Sequence, residues 1–330
     1  MVSQLPLALA LGGSSPAAAA ELAVRAEAAG VKRLLISEQP GGPDSFSIAA
    51  FVLARTERIQ VGPGLVSALD RHPLVLGRQA ATLDQVAPGR TLLGLGRSSR
   101  SYIEGVLGLS YLPATDRMAE VLTVLRRLLS GEEVSFQGQF VSIAKARLTP
   151  SPKVRVPLLL GASGERTLEL SGRLADGAIL NGGASPEYVS WARTVVGRPA
   201  VPANVDRGGP APGEVELGAW CLTAVERYGR WTPELDRLRS QLAMNLMEPD
   251  SGHALIAYSG LPSASREGLL LARQSGAAAL SELLEDFGIL SQLAVVGSPT
   301  ECLARLQQYL EAGATFLVLQ PAAMKSLLDL

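Results

Sequence analysis

Eight short apolar runs alternating with amphipathic stretches predict an α/β fold, a (β/α)8 TIM barrel with insertions, as a single domain over residues 1–330. Three observations carry this. Val156–Leu160 is a strand-sized apolar run of the kind buried on both faces of a parallel sheet. Gly161-Ala162-Ser163-Gly164 follows at once and feeds a helical stretch with Leu168, Leu170 and Leu174, which Asp176-Gly177 ends before the next apolar run, Ala178-Ile179-Leu180. That order is a βαβ unit. Finally, 330 residues, 47% of them hydrophobic and 18% charged, supply the length and the core for such a barrel (~250 residues before insertions).

Leu5–Leu11 reads as the first strand. Ser15-Pro16 supplies an N-cap and a proline at the first helical position, and Gly30 stops that helix after Ala29. Lys32–Ser37 is strand two, followed by the loop Glu38-Gln39-Pro40-Gly41-Gly42. Asp44 or Ser45 caps a helix reaching about Thr56. Arg58–Val66 is strand three; proline cannot donate to a ladder, so Pro63 predicts a bulge or an end near Gly62. Pro73 opens a helix that ends before Pro88-Gly89, and Arg90–Gly96 is strand four. A long loop, Arg97–Pro113, leads to a helix at Asp116–Leu129 and a hairpin at Glu132–Ile143 turning at Gln137-Gly138. Strands five and six belong to the unit around Gly161. A helix at Pro186–Val196 and a proline- and glycine-rich loop, Arg198–Gly213, precede strand seven, Glu216–Val225. Pro233–Phe287 reads as mostly helical, interrupted at Pro249, Gly260-Leu261-Pro262 and Gly276. Ser298-Pro299 starts a helix to Glu311, Gly313 stops it, and Thr315–Leu319 is strand eight.

Composition excludes several classes of function. The net charge of −1 leaves no basic excess for sequence-independent nucleic-acid binding. Cys221 and Cys302 sit in apolar patterns and read as buried free thiols. With His72 and His253 as the only histidines, no metal site is expected. The N-terminal apolar run has no positive residue before it and is too short to span a membrane, which points to a soluble cytoplasmic protein.

The active site of such a barrel lies at the C-terminal ends of its strands. Those ends carry Glu38 and Gln39 (strand two), Gly64, Ser67, Asp70, Arg71 and His72 (three), Arg97 to Arg100 (four), Ser163, Gly164 and Glu165 (five), Asn181 (six), Glu226 (seven) and Gln320 (eight). A turn of small residues at a helix N-terminus lets backbone N–H groups converge on an anion. Arg71-His72-Pro73 reads as the structural start of the third helix.

Four segments, Val61–Gly96, Arg117–Ile143, Val156–Asn181 and Val295–Leu319, resemble the luciferase-like flavin and deazaflavin oxidoreductases over nearly the whole chain. The GASG turn at Gly161–Gly164 and the ADGAILN stretch at Ala175–Asn181 look like the methylenetetrahydromethanopterin-reductase-like branch, which is associated with coenzyme F420. The resemblance implies a cofactor ring over the barrel mouth, backed by a bulge at Gly62–Val66 with a cis peptide near Gly64-Leu65. It implies a cofactor site of Gly62, Gly64, Leu65, Ser98, Gly161, Ser163, Gly164, Glu165, Asn181 and Gly182, with the phosphate at Ser163, Gly164 and Glu165. It also implies a small-molecule substrate and a homodimer.

The chain departs from that pattern in three places. Glu38-Gln39 stands where many F420 relatives have Asp-His, the strand-four loop Gly94-Leu95-Gly96-Arg97-Ser98-Ser99 lacks an acidic residue, and Ala184 falls where some members have a basic phosphate contact. On the F420 reading, hydride goes to an activated C=C or C=N bond, or comes from an alcohol. Glu38 is then the proton donor or the anchor of a water, and Gln39 bonds to the substrate or ring edge. Glu38 as an N-cap or ion-pair residue and Gln39 as a solvated loop residue are the plainer readings. An FMN-dependent monooxygenase and a non-catalytic member that has lost its cofactor remain open.

Overall fold

Apolar runs of this kind become parallel strands when the barrel interior covers one face and helices the other. The computed structural model describes residues 5–198, 215–226, 234–249 and 251–328. The first part alternates β1 (Leu7–Gly12), α1 (Pro16–Ala28), β2 (Arg33–Ser37), α2 (Ser45–Leu53), β3 (Gln60–Pro63), β4 (Val66–Ser67), α3 (Pro73–Val86) and β5 (Leu93–Gly96). A wide helical turn at Ser101–Val106 precedes α4 (Ala114–Leu129) and the hairpin β6 (Val134–Gln137) and β7 (Ser142–Ala146). Then come β8 (Leu158–Gly161), α5 (Glu165–Leu174), β9 (Gly177–Leu180), α6 (Pro186–Val196), β10 (Glu216–Trp220) and β11 (Thr223–Val225). The helical excursion consists of α7 (Glu234–Met247), α8 (Gly252–Ala257), α9 (Ser263–Ser275), α10 (Ala277–Leu283) and α11 (Phe287–Leu293). β12 (Val295–Gly297), α12 (Pro299–Glu311), β13 (Phe316–Leu319) and α13 (Pro321–Leu328) complete the chain.

Nine strands lie in the order β3-β2-β1-β13-β10-β9-β8-β5-β4. β3 and β4 are two halves of one barrel strand, so the sheet has the eight strand positions expected. The lower half pairs with β2 and the upper half with β5, and a bridge from Val61 to Thr91 draws the two ends of the sheet together. The break follows Pro63, where the Gly64–Leu65 peptide is cis, as the resemblance implied. A Cβ on Gly62 would overlap the Leu92 carbonyl, and one on Gly64 would lie 2.9 Å from Leu35. Both glycines therefore serve the packing of the bulge against the barrel wall. Ala8, Ala10, Leu35, Leu92, Leu159, Ile179, Phe316 and Val318 fill the interior, with Leu65 and Trp220 packed against them.

The predicted strand seven is two strands. β10 lies in the barrel, but β11 leaves it and pairs with β12, a short strand the sequence reading missed. Glu226 thus lies beside Gly297, bonded through its N–H at 2.7 Å, and has no place at a barrel strand end. The hairpin turns at Gly138–Val141, slightly later than predicted. Beyond Arg198, the predicted loop Arg198–Gly213 lies outside the described residues, as does Pro233. Both cysteines are free and buried. Among the described residues no helix is long and apolar enough to cross a membrane, and no cluster of three or more His, Cys, Asp or Glu side chains is placed to hold a metal.

Two carboxylates outside the mouth act as clamps on loops. Glu120 accepts the N–H groups of Gln139, Phe140 and Val141 at 2.8 Å each, and Glu27 those of Glu57, Arg58 and Ile59 at 2.6–3.2 Å. Burial raises both acids, but the backbone donors outweigh it and hold both below 4.5. A depressed folded value stabilises the protein above the unfolded value, and that stability is lost as the pH falls through the folded one. Thermal unfolding scans below pH 4.5 should therefore show a steeper loss of Tm with falling pH for the parent than for a Glu27→Gln, Glu120→Gln double variant.

Candidate active site

The C-terminal strand ends open on a hollow of about 320 Å³. Its wall carries Glu38, Gln39, Leu65, Ser67, Asp70, Arg97, Ser98, Ser99, Tyr102, Gly161, Ser163, Asn181 and Trp220, with Asn245, Glu248 and Ser251 from the helical excursion. A second hollow of about 600 Å³ adjoins it, sharing Gln39, Asn181, Trp220 and Asn245 and adding Ser14, Ser37, Gly182, Gln241 and Gln320. A third, of about 250 Å³, runs outward from Arg97 between Thr115, Asp116, Gly164, Glu165 and Arg166.

Glu38, Gln39, Leu65, Ser98, Gly161, Ser163 and Asn181 thus converge on the first hollow, Gly182 faces the second, and Gly164 and Glu165 line the third. Gly62 and Gly64, also in the expected cofactor set, line none of the three and pack against Leu92 and Leu35. Gly161, like Gly94 and Gly96, leaves room for the Leu65 side chain. These strand glycines seat the bulge, and the bulge presents Leu65 to the hollow.

Beyond β4, the Ser67 hydroxyl accepts the Leu69 N–H at 3.1 Å and the Ala68 N–H bonds Gly96 O at 2.9 Å. This turn brings Asp70 and Arg71 back across from Glu38. Arg71 grips Glu38 with both terminal nitrogens, at 2.7 and 2.9 Å, and its Nη1 also reaches Asp70 Oδ1 at 3.2 Å. The Ser45 hydroxyl donates to Glu38 Oε1 at 3.3 Å. Both Glu38 oxygens thus accept from Arg71, the ion-pair arrangement that is the plainer reading of this residue. Asp70 differs, because burial first and the Glu38 charge second push its carboxyl up against the pull of Arg71. His72 caps α3 through its Nδ1, which accepts the Leu74 N–H at 3.2 Å, so the helix-start reading holds for His72 and Pro73 but misses Arg71.

The GASG turn is locked from two sides. Ser163 Oγ accepts the Asn181 N–H at 2.9 Å, and the buried Tyr188 hydroxyl donates to Ser163 O. Gly164 is the N-cap of α5, in extended backbone (φ −113°, ψ 155°), and the Thr167 hydroxyl donates to its carbonyl at 2.9 Å. The N–H groups of Glu165 and Arg166 fall in the first turn of α5, where a helix offers unpaired donors. Glu165 pairs with Arg198, and Arg166 pairs with Asp116 at 3.2 Å.

Tyr102, Trp220, Asn245, Glu248 and Ser251 were missed. Trp220 was readable only if strand seven had been ended one residue before Cys221. Asn245 joins α7 to the barrel, donating to Gly182 O at 2.9 Å while accepting from Gln241 Nε2 at 2.9 Å. No local signal marks it.

A barrel whose third strand breaks into a bulge beneath the mouth, with a small-residue turn at a helix N-terminus beside it, defines the luciferase-like class of enzyme. The profile of the luciferase-like monooxygenases matches residues 3–315, and the chain belongs to that family. It is 22% identical over 301 residues to a 5,10-methylenetetrahydromethanopterin reductase of Methanolobus tindarius, covering 91% of this chain and 88% of that one. It is 26% identical over 316 residues to an F420-dependent glucose-6-phosphate dehydrogenase of Kineococcus radiotolerans, covering 92% and 87%. Its fold matches that of the coenzyme F420-dependent tetrahydromethanopterin reductase of Methanopyrus kandleri with a TM-score of 0.78, at 20% identity over 98% and 96% of the two chains.

Proposed function

We propose that this protein is an F420-dependent oxidoreductase that moves hydride to or from a small organic molecule at an activated C=C or C=N bond, or an alcohol. The observation that carries this reading is the run of three joined hollows. Leu65 in the first would back a flat cofactor ring, Ser163 and the start of α5 would hold its phosphate, and Arg97 and Arg166 would line the way out for its tail. Ser98, Ser99 and the α5 N–H groups are neutral donors suited to phosphate oxygens. The rest of the first hollow, with Asp70 in its wall, and the adjoining second hollow would be left for the substrate, with the amides of Gln39 and Gln320 at the edge of the second. Similarity to two relatives named for F420-linked or methanopterin chemistry, each along about nine-tenths of this chain, supports F420 over FMN. When bound, the deazaflavin supplies a two-electron hydride. The chain's residues orient it, shield it and manage the proton. A cytoplasmic homodimer is part of this reading, and the dimer rests on the resemblance.

Titration of the purified protein with oxidised and reduced F420 and FMN, followed by cofactor fluorescence, tests it. F420 should bind more tightly than FMN. Tighter FMN binding with oxygen-dependent turnover would make the protein a monooxygenase instead, and binding of neither would make it a non-catalytic member.

A further inference from the structure

In the wall of the first hollow, which also carries Arg97 and Glu248, Glu38 and Asp70 share the Arg71 guanidinium, and it binds them unequally. Glu38 is gripped at both oxygens, by Arg71 at 2.7 and 2.9 Å, and also takes the Ser45 hydroxyl. Asp70 meets Arg71 through Oδ1 alone, at 3.2 Å, and among the described residues no other residue donates to its second oxygen. Its side chain is only 12% exposed, yet it lies in the wall of the hollow. Gln39 cannot titrate, and no histidine belongs to this wall among the described residues.

From this geometry we propose that Asp70 is the proton-holding group of the site, and that Glu38 and Arg71 are residues that position it. The chemical part of the proposal rests on the oxidoreductase reading above. In the reducing direction, hydride from the reduced deazaflavin forms a C–H bond at one end of a C=C or C=N bond. The π pair moves to the other end, and that atom takes the proton as the O–H bond of the Asp70 carboxyl breaks. The carboxylate left behind sits beside Arg71 and regains a proton from solvent. In the oxidising direction the same carboxylate accepts the proton of an alcohol hydroxyl.

The charged surroundings suit this role. Burial is the largest influence and raises Asp70, and Glu38 raises it further. Arg71, the backbone N–H of Asp70 itself and, from α4, Arg117 lower it, while Asp44 at the start of α2 acts on Arg71. A carboxyl that keeps its proton closer to neutral pH is the better general acid there. Asp70 therefore has its guanidinium mostly claimed by Glu38, which leaves its own charge poorly compensated.

The test has two arms. In the first, protein labelled with ¹³C at aspartate carboxyls is titrated by NMR without cofactor, and Asp70→Asn assigns the resonance. Asp70 should titrate above 3.8. Glu38→Gln should move it down, since removing that charge frees Arg71 for Asp70. In the second arm, with reduced F420 and an enone or imine the parent reduces, Asp70→Asn should lose ~100-fold or more in turnover with cofactor affinity kept. The fall of the rate toward high pH should disappear with it, and Asp70→Glu should restore part of the rate. Glu38→Gln should lose much less than Asp70→Asn. A resonance titrating at or below 3.8, or an Asp70→Asn variant with full turnover, overturns the proposal. A parent that binds no F420 overturns the oxidoreductase reading instead, and the cofactor-free titration still decides how Asp70 holds its proton.

Discussion

Gly164→Asp is expected to abolish binding of the phosphate-bearing cofactor while the protein stays folded. Gly164 has extended backbone at the N-cap of α5, a conformation open to any residue. Aspartate is also a favoured N-cap, so its carboxylate should accept the first-turn N–H groups and, if anything, strengthen the helix. That is why it should block the anion: the same donors cannot serve both, and two like charges ~4 Å apart repel by up to about 4 kcal/mol at an effective dielectric of ~20. A loss of at least ~100-fold in affinity for F420 is expected on those terms. Gly164→Ser adds bulk and a neutral cap and should lose far less, which separates charge from size. A phosphate-free deazaflavin should hardly notice either change. If Gly164→Asp binds F420 as tightly as the parent, the phosphate lies elsewhere and the GASG stretch is only a tight turn held by Ser163 and Tyr188.

The largest expected effect on stability is at Asp176. Its carboxylate takes Arg126 at 2.6 Å, Arg155 at 2.6 Å and the Leu158 N–H at 2.7 Å. Its own N–H returns to Leu158 O at 2.8 Å, so one residue ties the entry of β8 to the end of α5 and to α4. Arg126 is 11% exposed, and burial pulls its pKa down while Asp176 holds it up. Removing the carboxylate leaves that guanidinium buried without its counter-charge, a change that costs about 3–5 kcal/mol. Asp176→Ala should lower Tm by roughly 6–15 °C on that scale. Asp176→Asn keeps an acceptor for Leu158 and should lose less. A fall of less than about 1 kcal/mol for Asp176→Ala, within the range of ordinary surface substitutions, would show that solvent reaches Arg126.

Both sites show how unevenly the molecule can be read from its residues. Caps were legible because they are local: Ser15 accepts the Ala18 N–H, Asp44 the Ser47 N–H and Ser298 the Glu301 N–H, each three residues on. The bulge was legible because proline lacks a donor wherever it sits. Strand seven was not. Glu216–Val225 is apolar throughout, and nothing in Trp220-Cys221-Leu222 says that the chain changes sheets there. Only the partners decide it, β9 and β13 for one half and β12 for the other. Asp176 read as a helix stop and proved to be the hub of an ion cluster, because Arg126 lies 50 residues away in sequence.

By itself the sequence determined the barrel, its strands in chain order apart from the split of strand seven and β12, and most of the strand ends at its mouth, since periodicity, caps and turn residues act within a few positions of one another. It also determined that Glu38, Gln39, Ser163 and Asn181 stand at one end, because every barrel strand runs the same way. What each side chain does there was decided only by the tertiary structure. Glu38 became an ion-pair acceptor and Asp70 the poorly compensated acid through one guanidinium 33 residues from Glu38. The strand glycines became seats for Leu65 through side chains on neighbouring strands. Hydrogen bonds and burial depend on distance in space, and residues far apart along the chain acquire that distance only when the barrel closes.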